Sequence, residues 1–374
     1  MTAFRLNKAK ATFGLLCLLP FLAFLSIAFY YNTMLSRALL VFESGVFFLL
    51  LILNLKSRKT LFILAVNCAS VTVTMLYHTG LGVALAFFNL LVAILTFNSI
   101  VLEEGEKRIL HFLSAALLLL LYLASNFGKL YGKITIRDFW GHFLNPNVVG
   151  MLLLSLLLHA YIYFSSLDVE VRKKRIALAL TVLVFGYLIY LTACRSALIS
   201  LAVFLIFLLL GRIYKRDIPH SVYKLLSVGI LISSLLFTLF YIMLSDRIGG
   251  INILGKSLFT GRETVWQSAF GLISESTIFG NGTDFLLDTV GGNKTASAHN
   301  TLLSIWYTLG VIPTATVAFF FVNGGGEKRD KVTQLALLSS LFICFFESFY
   351  ADPTIALFFL PFLLSKVKRS EKVE

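Results

Sequence analysis

Residues 225–244 read LLSVGILISSLLFTLFYIML, a run of twenty residues without a single charge. As an α-helix this run would rise about 30 Å, the thickness of the hydrocarbon core of a bilayer. The pattern therefore predicts an all-α polytopic membrane protein with about twelve transmembrane helices, forming a single integral membrane domain over residues 1–374. The other eleven candidate spans lie at roughly 12–31, 38–55, 60–77, 81–100, 109–126, 147–166, 176–194, 196–211, 300–322, 332–349 and 354–365, the last short enough to be re-entrant.

The overall composition agrees with a membrane protein. Hydrophobic residues make up 58% of the chain and charged residues 14%, whereas soluble domains have roughly 45–50% and about 25%. The long Leu-rich runs and the 36 phenylalanines exclude a disordered chain. A net charge of +13 would suggest nucleic acid in a soluble protein. In a membrane protein basic residues set the orientation instead, so we predict no nucleic-acid partner.

Cysteine and glycine patterns give no sign of a metal or a cofactor. The four cysteines lie in or at the ends of apolar runs, without a CxxC pair or a zinc-type spacing to histidine. No GxGxxG opens a helix and no P-loop lysine is present. We therefore predict that the protein holds neither.

The distribution of lysine and arginine predicts the orientation. With the N-terminus in the cytoplasm and alternating spans, 23 of the 32 basic residues fall in inside segments. This bias follows the positive-inside rule and places both termini in the cytoplasm. It also places the one long hydrophilic segment, residues 245–298, on the outer side.

The outer loop 245–298 is too long to be a simple connection, because loops beyond about 12–15 residues are usually functional or disordered. Thr260 and Glu263 have the spacing of a capping box, which predicts that a helix begins there. Residues further along, including Trp266 and Phe270, then recur at helical spacing on one side. We predict a partly helical loop, with a short amphipathic helix at the outer membrane face.

Three basic side chains at the outer face are candidates for chemistry. Arg195 stands between two spans with almost no loop, and Arg262 falls in the first turn of the predicted loop helix. Together with a helix N-terminus they could hold a pyrophosphate, although snorkelling or simple solvation would also explain them. His299 lies where the long loop enters the next span, and histidine is well suited to proton transfer near neutral pH. A lone interfacial histidine is the alternative.

Four further polar side chains are candidates for substrate binding. Asn145 and Asn147 open the sixth span from the outside, where Asn147 either caps that helix or hydrogen-bonds a sugar. Asn300 follows His299 and could orient a substrate or the imidazole. Asp352 marks the outer turn before the last span and could pair with Arg195 or Arg262.

These residues occur in an order that resembles a known family. The motifs are Asn145-Pro-Asn147-x-x-Gly150, Thr192-x-x-Arg195-Ser196, Gly261-Arg262-x-x-x-Trp266, Gly280-Asn281-Gly282, and His299-Asn300 followed by nine residues and Gly310. The set resembles the O-antigen ligase and polysaccharide polymerase superfamily of bacterial envelopes. Pro313 departs from the ligase-type pattern, which has a small residue or tyrosine three positions after the glycine.

The resemblance implies an enzyme of the bacterial cytoplasmic membrane with an extracytoplasmic loop over its active site. It implies a donor glycan linked to undecaprenyl diphosphate, a lipid environment, and glycosyl transfer without a metal. By the resemblance, Arg195 and Arg262 engage the diphosphate, and His299 acts on the acceptor hydroxyl. Asn145, Asn147, Trp266, Asn300 and Asp352 would contact substrate. A chain-length regulator is a possible protein partner.

General chemistry agrees with these roles. Breaking the sugar–diphosphate bond develops negative charge on the leaving oxygen, which fixed guanidinium donors stabilise. The attacking hydroxyl must lose a proton, which a histidine can accept. A glycosidase would need a pair of carboxylates flanking the bond, and the outer loop offers no clear pair.

Three functions remain open at this point. The first is a polymerase that joins lipid-linked oligosaccharide repeat units, which the Asn-Pro-Asn motif and Pro313 favour slightly. The second is a ligase that transfers the finished glycan to lipid A core or another acceptor. The third is a transporter of the same lipid-linked glycan, which should carry polar groups on both sides and near the midplane. The conspicuous polar groups instead cluster outside.

Overall fold

The computed structural model is almost entirely helical. It describes residues 2–28, 33–54, 57–77, 81–127, 146–213, 218–248, 252–253, 256–257, 262–282, 286–287, 294–295, 298–323, 330–343 and 366–367. The helices in these ranges are α1 (Thr2–Ala28), α2 (Thr33–Asn54), α3 (Arg58–Tyr77), α4 (Leu81–Ser99), α5 (Glu104–Phe127), α6 (Pro146–Ser166), α7 (Val171–Leu191), α8 (Arg195–Ile213), α9 (His220–Ile248), α10 (Arg262–Glu275), α11 (Thr301–Leu309), α12 (Val311–Asn323) and α13 (Lys331–Ile343).

Five of the described helices are long and apolar enough to cross a membrane. Their spanning segments are Lys8–Leu25, Arg58–Leu76, Val149–Ser166, Val171–Leu191 and His220–Leu244. Helices suit this environment because they satisfy every backbone hydrogen bond within one segment. The finding agrees with a helical membrane protein, while the number of twelve spans stays a prediction, because part of span eleven and all of span twelve lie outside the described residues.

Helix α6 lies at the centre of the bundle and α7 at its periphery. The segment Val149–Ser166 is mostly buried, whereas Val171–Leu191 is mostly exposed. Helix α6 packs against α5, α7 and α8, and its leucines join the main hydrophobic core. The exposed residues of α7 are largely apolar, among them Leu183 and Tyr187. Such a surface is suited to lipid, because soluble proteins rarely expose contiguous apolar patches of this size.

The short strands in the described part of the chain form three pairs, two in the long loop and one outside it. Strands β2 (Asn252–Ile253) and β3 (Lys256–Ser257) are antiparallel, as are β4 (Leu286–Leu287) and β5 (Lys294–Thr295), all within the long loop. Strand β1 (Val101–Leu102) runs parallel to β6 (Lys366–Val367) at the other end of the bundle. Near them Lys107 Nζ donates to Asp330 Oδ2 at 2.7 Å. Three segments predicted to lie on the cytoplasmic side, around Lys107, Asp330 and Lys366, therefore meet at one end of the bundle.

The predicted span 300–322 is made of two helices, α11 and α12, because the helix is interrupted at Gly310. This residue has φ 90° and ψ −176°, a conformation essentially restricted to glycine. A Cβ at this position would lie 1.9 Å from the carbonyl oxygen of Ile278 in the outer loop. Hydropathy could not reveal the interruption, because α11 before it and α12 after it are both apolar.

The outer loop occupies the space that the interruption opens. The backbone amides of Asn281 and Gly282 each donate at 2.8 Å, to the carbonyl oxygens of Tyr307 and Thr308 respectively. These carbonyls are among the last four of α11, which have no partner within a helix. The Gly280-Asn281-Gly282 motif therefore caps α11 and fixes the loop to it.

Candidate functional site

Arg195 is presented by a very tight turn between α7 and α8. Ala193 has φ 49°, in the left-handed region, which reverses the chain within three residues. The Thr192 hydroxyl accepts a hydrogen bond from the Cys194 amide at 3.2 Å, and the Cys194 carbonyl accepts from Leu198 at 3.0 Å. Arg195 is thus the first residue of α8 and is partly buried.

The turn can sit this close to α6 only because residue 150 is glycine. A Cβ on Gly150 would lie 2.3 Å from the Cys194 Cβ and 3.1 Å from the Thr192 hydroxyl oxygen. In the same contact the Cys194 thiol approaches the carbonyl oxygen of Asn147 at 3.6 Å. The first turn of α6 therefore sets the position of the turn that carries Arg195.

Gly150→Ala is expected to reduce turnover at least about tenfold and to destabilise the protein by about 1–3 kcal/mol, the usual cost of overpacking. The added methyl group must push the Thr192–Arg195 turn away from α6. Turnover and the thermal unfolding midpoint of the purified variant measure the two effects. Gly229→Ala is the matched control, because its Cβ meets nothing within 4 Å.

A second substitution makes this prediction more specific. Cys194→Gly removes the atoms that the new methyl group would strike, so the double variant is expected to be more active than Gly150→Ala alone. If Gly150→Ala behaves like Gly229→Ala, the contact does not determine where Arg195 lies.

Arg262 acts on Arg195 from a distant part of the sequence. It is the first residue of α10 and is partly buried. Burial and, after it, the positive charge of Arg262 lower the pKa of Arg195. Guanidinium groups bind the oxygens of a phosphate or diphosphate through two parallel hydrogen bonds. Both residues also stand at helix N-termini, where backbone amides add partial positive charge. The arrangement is therefore suited to binding a diphosphate.

Trp266 lies inside the protein, one turn along α10 from Arg262. The indole is fully buried and packs edge-on against Tyr241 and Phe237 of α9, with ring centroids at 5.7 and 6.5 Å. Its Nε1 donates to the carbonyl oxygen of Ala298 at 2.7 Å. The predicted loop helix is thus present, but the indole offers no surface to a substrate in this structure.

His299 is held between two anchored neighbours. It is partly buried and has φ 48°, again in the left-handed region. Asn300 after it is fully buried: its Oδ1 accepts from the Leu303 amide at 3.1 Å and caps α11. The Asn300 Nδ2 also donates to Ser234 and Thr238 of α9, at 2.9 and 3.2 Å. Asn300 therefore positions the start of α11 and has no surface left for a sugar.

The hydrogen bonds of Asn300 also indicate how deep the site lies. Thr238 precedes the last residue of α9, Ile248, by ten positions. At 1.5 Å per residue this is about 15 Å below the end of the helix. His299, the residue before Asn300, therefore lies well below the end of α9.

The remaining predicted substrate residues are less defined. Asn145 and Asp352 lie outside the described residues. Asn147 lies in the first turn of α6 and is partly buried. Its backbone carbonyl oxygen accepts a hydrogen bond from the Cys194 thiol at 3.6 Å. Within the described part of the chain no group of three or more His, Cys, Asp or Glu side chains is placed to hold a metal ion.

The structure adds residues that the sequence did not single out. Ser234 and Thr238, four positions apart on one face of α9, anchor Asn300, and Ala298 receives the indole hydrogen bond. A serine and a threonine spaced by four within an apolar span are the signal that could have indicated the first pair.

Comparison with known proteins supports the same part of the chain. Residues 179–318 match the family model described as O-antigen ligase. This segment contains Arg195, Arg262 and His299, so the resemblance found in the motifs is confirmed there. No curated protein and no solved structure matches the chain. The match supports a ligase- or polymerase-type enzyme that transfers lipid-linked glycans.

Proposed function

We propose that the protein is a polymerase that joins undecaprenyl-diphosphate-linked oligosaccharide repeat units of a bacterial surface polysaccharide. The observation that carries this proposal is that Arg195 and Arg262 are each the first residue of a helix, while burial and then the charge of Arg262 lower the pKa of Arg195. The Trp266–Ala298 hydrogen bond holds the backbone next to His299 against the same loop helix. A diphosphate clamp and a candidate base thus belong to one structural unit.

The reaction proceeds in one displacement. The acceptor hydroxyl oxygen forms a bond to the anomeric carbon of the donor glycan while the bond from that carbon to the diphosphate oxygen breaks. The electron pair of the broken bond leaves with the diphosphate, whose negative charge Arg195 and Arg262 stabilise. His299 accepts the proton of the hydroxyl and releases it to water after transfer.

The placement of the proposed site residues favours an enzyme over a transporter. The residues of the site belong to the α6–α7–α8 junction and to the segment from α10 to α11, at one end of the bundle. A transporter would need substrate-binding groups reachable from both sides. A one-sided site suits an enzyme that acts at the outer face of the cytoplasmic membrane, with both termini in the cytoplasm.

A ligase is the second candidate, because the family model matched is described as O-antigen ligase. The structure also gives Pro313 a local explanation. Pro313 lies in the first turn of α12, where the backbone N–H has no helical partner and proline is tolerated. Its departure from the ligase-type pattern is therefore compatible with either acceptor.

The test is reconstitution of the purified protein with a lipid-diphosphate-linked repeat unit, in the presence of a chelator. One reaction contains only the repeat unit and another also contains lipid A core. Products of increasing length without lipid A core support the polymerase. Transfer only when lipid A core is present supports the ligase, and no transfer in either reaction overturns both. Addition of a chain-length regulator should alter only the length distribution.

Arg195→Lys and Arg262→Lys are each expected to lower turnover about 10²-fold or more. Lysine keeps the charge but loses the planar fork that binds a diphosphate through two hydrogen bonds. Arg172→Lys, an exposed arginine at the opposite end of α7, is the matched control. Lysine variants as active as the wild type at both positions would contradict the diphosphate clamp.

The proposed orientation predicts which side each connection faces. In a variant without the native cysteines, Ser257→Cys in the outer loop is expected to react with an impermeant thiol reagent on intact cells. Ser57→Cys, exposed at the start of α3, should react only after the cells are permeabilised. The reverse pattern would invert the protein and remove the outer-face reaction with it.

A further inference from the structure

The hydrogen bond between Trp266 and Ala298 connects the two halves of the site. Trp266 lies four residues, or about one turn, after Arg262. Ala298 is 32 residues further along the chain and directly precedes His299. The bond therefore runs from the helix that carries the proposed diphosphate ligand to the backbone that carries the proposed base.

The backbone at His299 needs such support. Its φ of 48° is uncommon for residues other than glycine and strains the backbone. On the preceding side, the Ala298 carbonyl is held by Trp266 and the Ala298 amide by the Ser304 hydroxyl at 3.3 Å. On the following side, the Asn300 side chain is bound to α9. The backbone of His299 is thereby held from both neighbours.

The geometry points to Trp266 as a positioning residue for His299. Trp266 acts through the Ala298 carbonyl, so that the position of α10 determines the position of the backbone that carries the base. This inference rests on the proposed function. It differs from a substrate-contact role, because the indole is fully buried. It also couples the two halves of the site: a diphosphate that holds Arg262 fixes α10, and α10 fixes the backbone beside His299.

The chain contains a matched control for this bond. Trp306 of α11 also donates from its indole to a backbone carbonyl, that of Thr277, at 3.2 Å. Trp306 is only partly buried and its bond lies near the end of α11 remote from His299. Replacement of either tryptophan by phenylalanine keeps an aromatic ring and removes one indole–carbonyl bond.

The kinetic experiment compares Trp266→Phe with Trp306→Phe and the wild type. Trp266→Phe is expected to lower kcat about tenfold or more, since small displacements of a catalytic group have large effects. The KM for the lipid-linked donor should change less than about twofold, because the diphosphate ligands remain. Trp306→Phe should retain the wild-type kcat. A rise in KM with unchanged kcat would assign Trp266 to substrate binding and overturn the inference.

A second measurement does not depend on activity. Hydrogen–deuterium exchange of the peptide that contains residues 298–304 is expected to be about tenfold faster in Trp266→Phe and unchanged in Trp306→Phe. Unchanged exchange in Trp266→Phe overturns the positioning role, whatever the kinetics show. A wild-type protein that does not turn over the lipid-linked donor overturns the proposed function instead, so the two failures are distinguishable.

Discussion

Replacement of His299 by asparagine is expected to lower the rate of glycosyl transfer by about 10²–10⁴-fold, the usual contribution of a positioned general base. Asparagine is the suitable substitution because it tolerates the left-handed backbone conformation of this residue, φ 48°, better than alanine does. The variant should fold normally and still bind the donor through Arg195 and Arg262. The assay is single-turnover transfer with purified lipid-linked repeat units.

His220→Asn is the control for this experiment. His220 is the first residue of α9, eighteen positions before Thr238, which corresponds to about 27 Å along the helix. The His220→Asn substitution should leave the rate of glycosyl transfer unchanged. Full turnover by His299→Asn would remove the general-base role, whereas loss of donor binding would show that the histidine contributes to the clamp.

Gly310→Ala is expected to destabilise the protein by about 3 kcal/mol or more, with loss of transfer activity. Two costs combine here: the backbone strain of a non-glycine residue at φ 90°, and the collision of the new Cβ with the Ile278 carbonyl. To relieve them the outer loop must leave α11, which also releases the cap at Tyr307 and Thr308. Thermal unfolding of the purified protein and the transfer assay report both effects.

Gly271→Ala provides the comparison, because Gly271 lies in α10 of the same loop and its Cβ would meet nothing within 4 Å. Alanine also favours a helix over glycine by about 1 kcal/mol. This variant should be at least as stable as the wild type. An equal unfolding midpoint for Gly310→Ala and Gly271→Ala would show that the loop does not need the interruption at residue 310.

Much of the helical pattern could be predicted from hydropathy, because a bilayer demands long apolar segments. The predicted spans 60–77 and 147–166, for example, lie within a few residues of α3 and α6. The break at Gly310 could not be predicted in this way. It depends on a carbonyl from Ile278, which a distant loop brings to the glycine.

The candidate site shows a similar division. Arg195 and Arg262 could be selected because the positive-inside rule makes arginine less expected in segments predicted to lie outside. His299 could be selected because histidine is suited to proton transfer near neutral pH. Trp266 was predicted to contact substrate through the resemblance, and Asn300 was predicted to orient a substrate or the imidazole. Only the structure shows that their hydrogen-bonding groups have partners within the protein. Burial of a polar side chain and its satisfaction by a distant partner leave no local pattern in the sequence.

The nine residues between Asn300 and Gly310 now have a physical meaning. They form α11, which is anchored at its start by Asn300 on α9 and at its end by the Gly280–Gly282 turn. One inserted residue would rotate one end against the other by about 100° and shift it by 1.5 Å, so at least one anchor would be lost. Insertions and deletions should therefore be excluded from this segment.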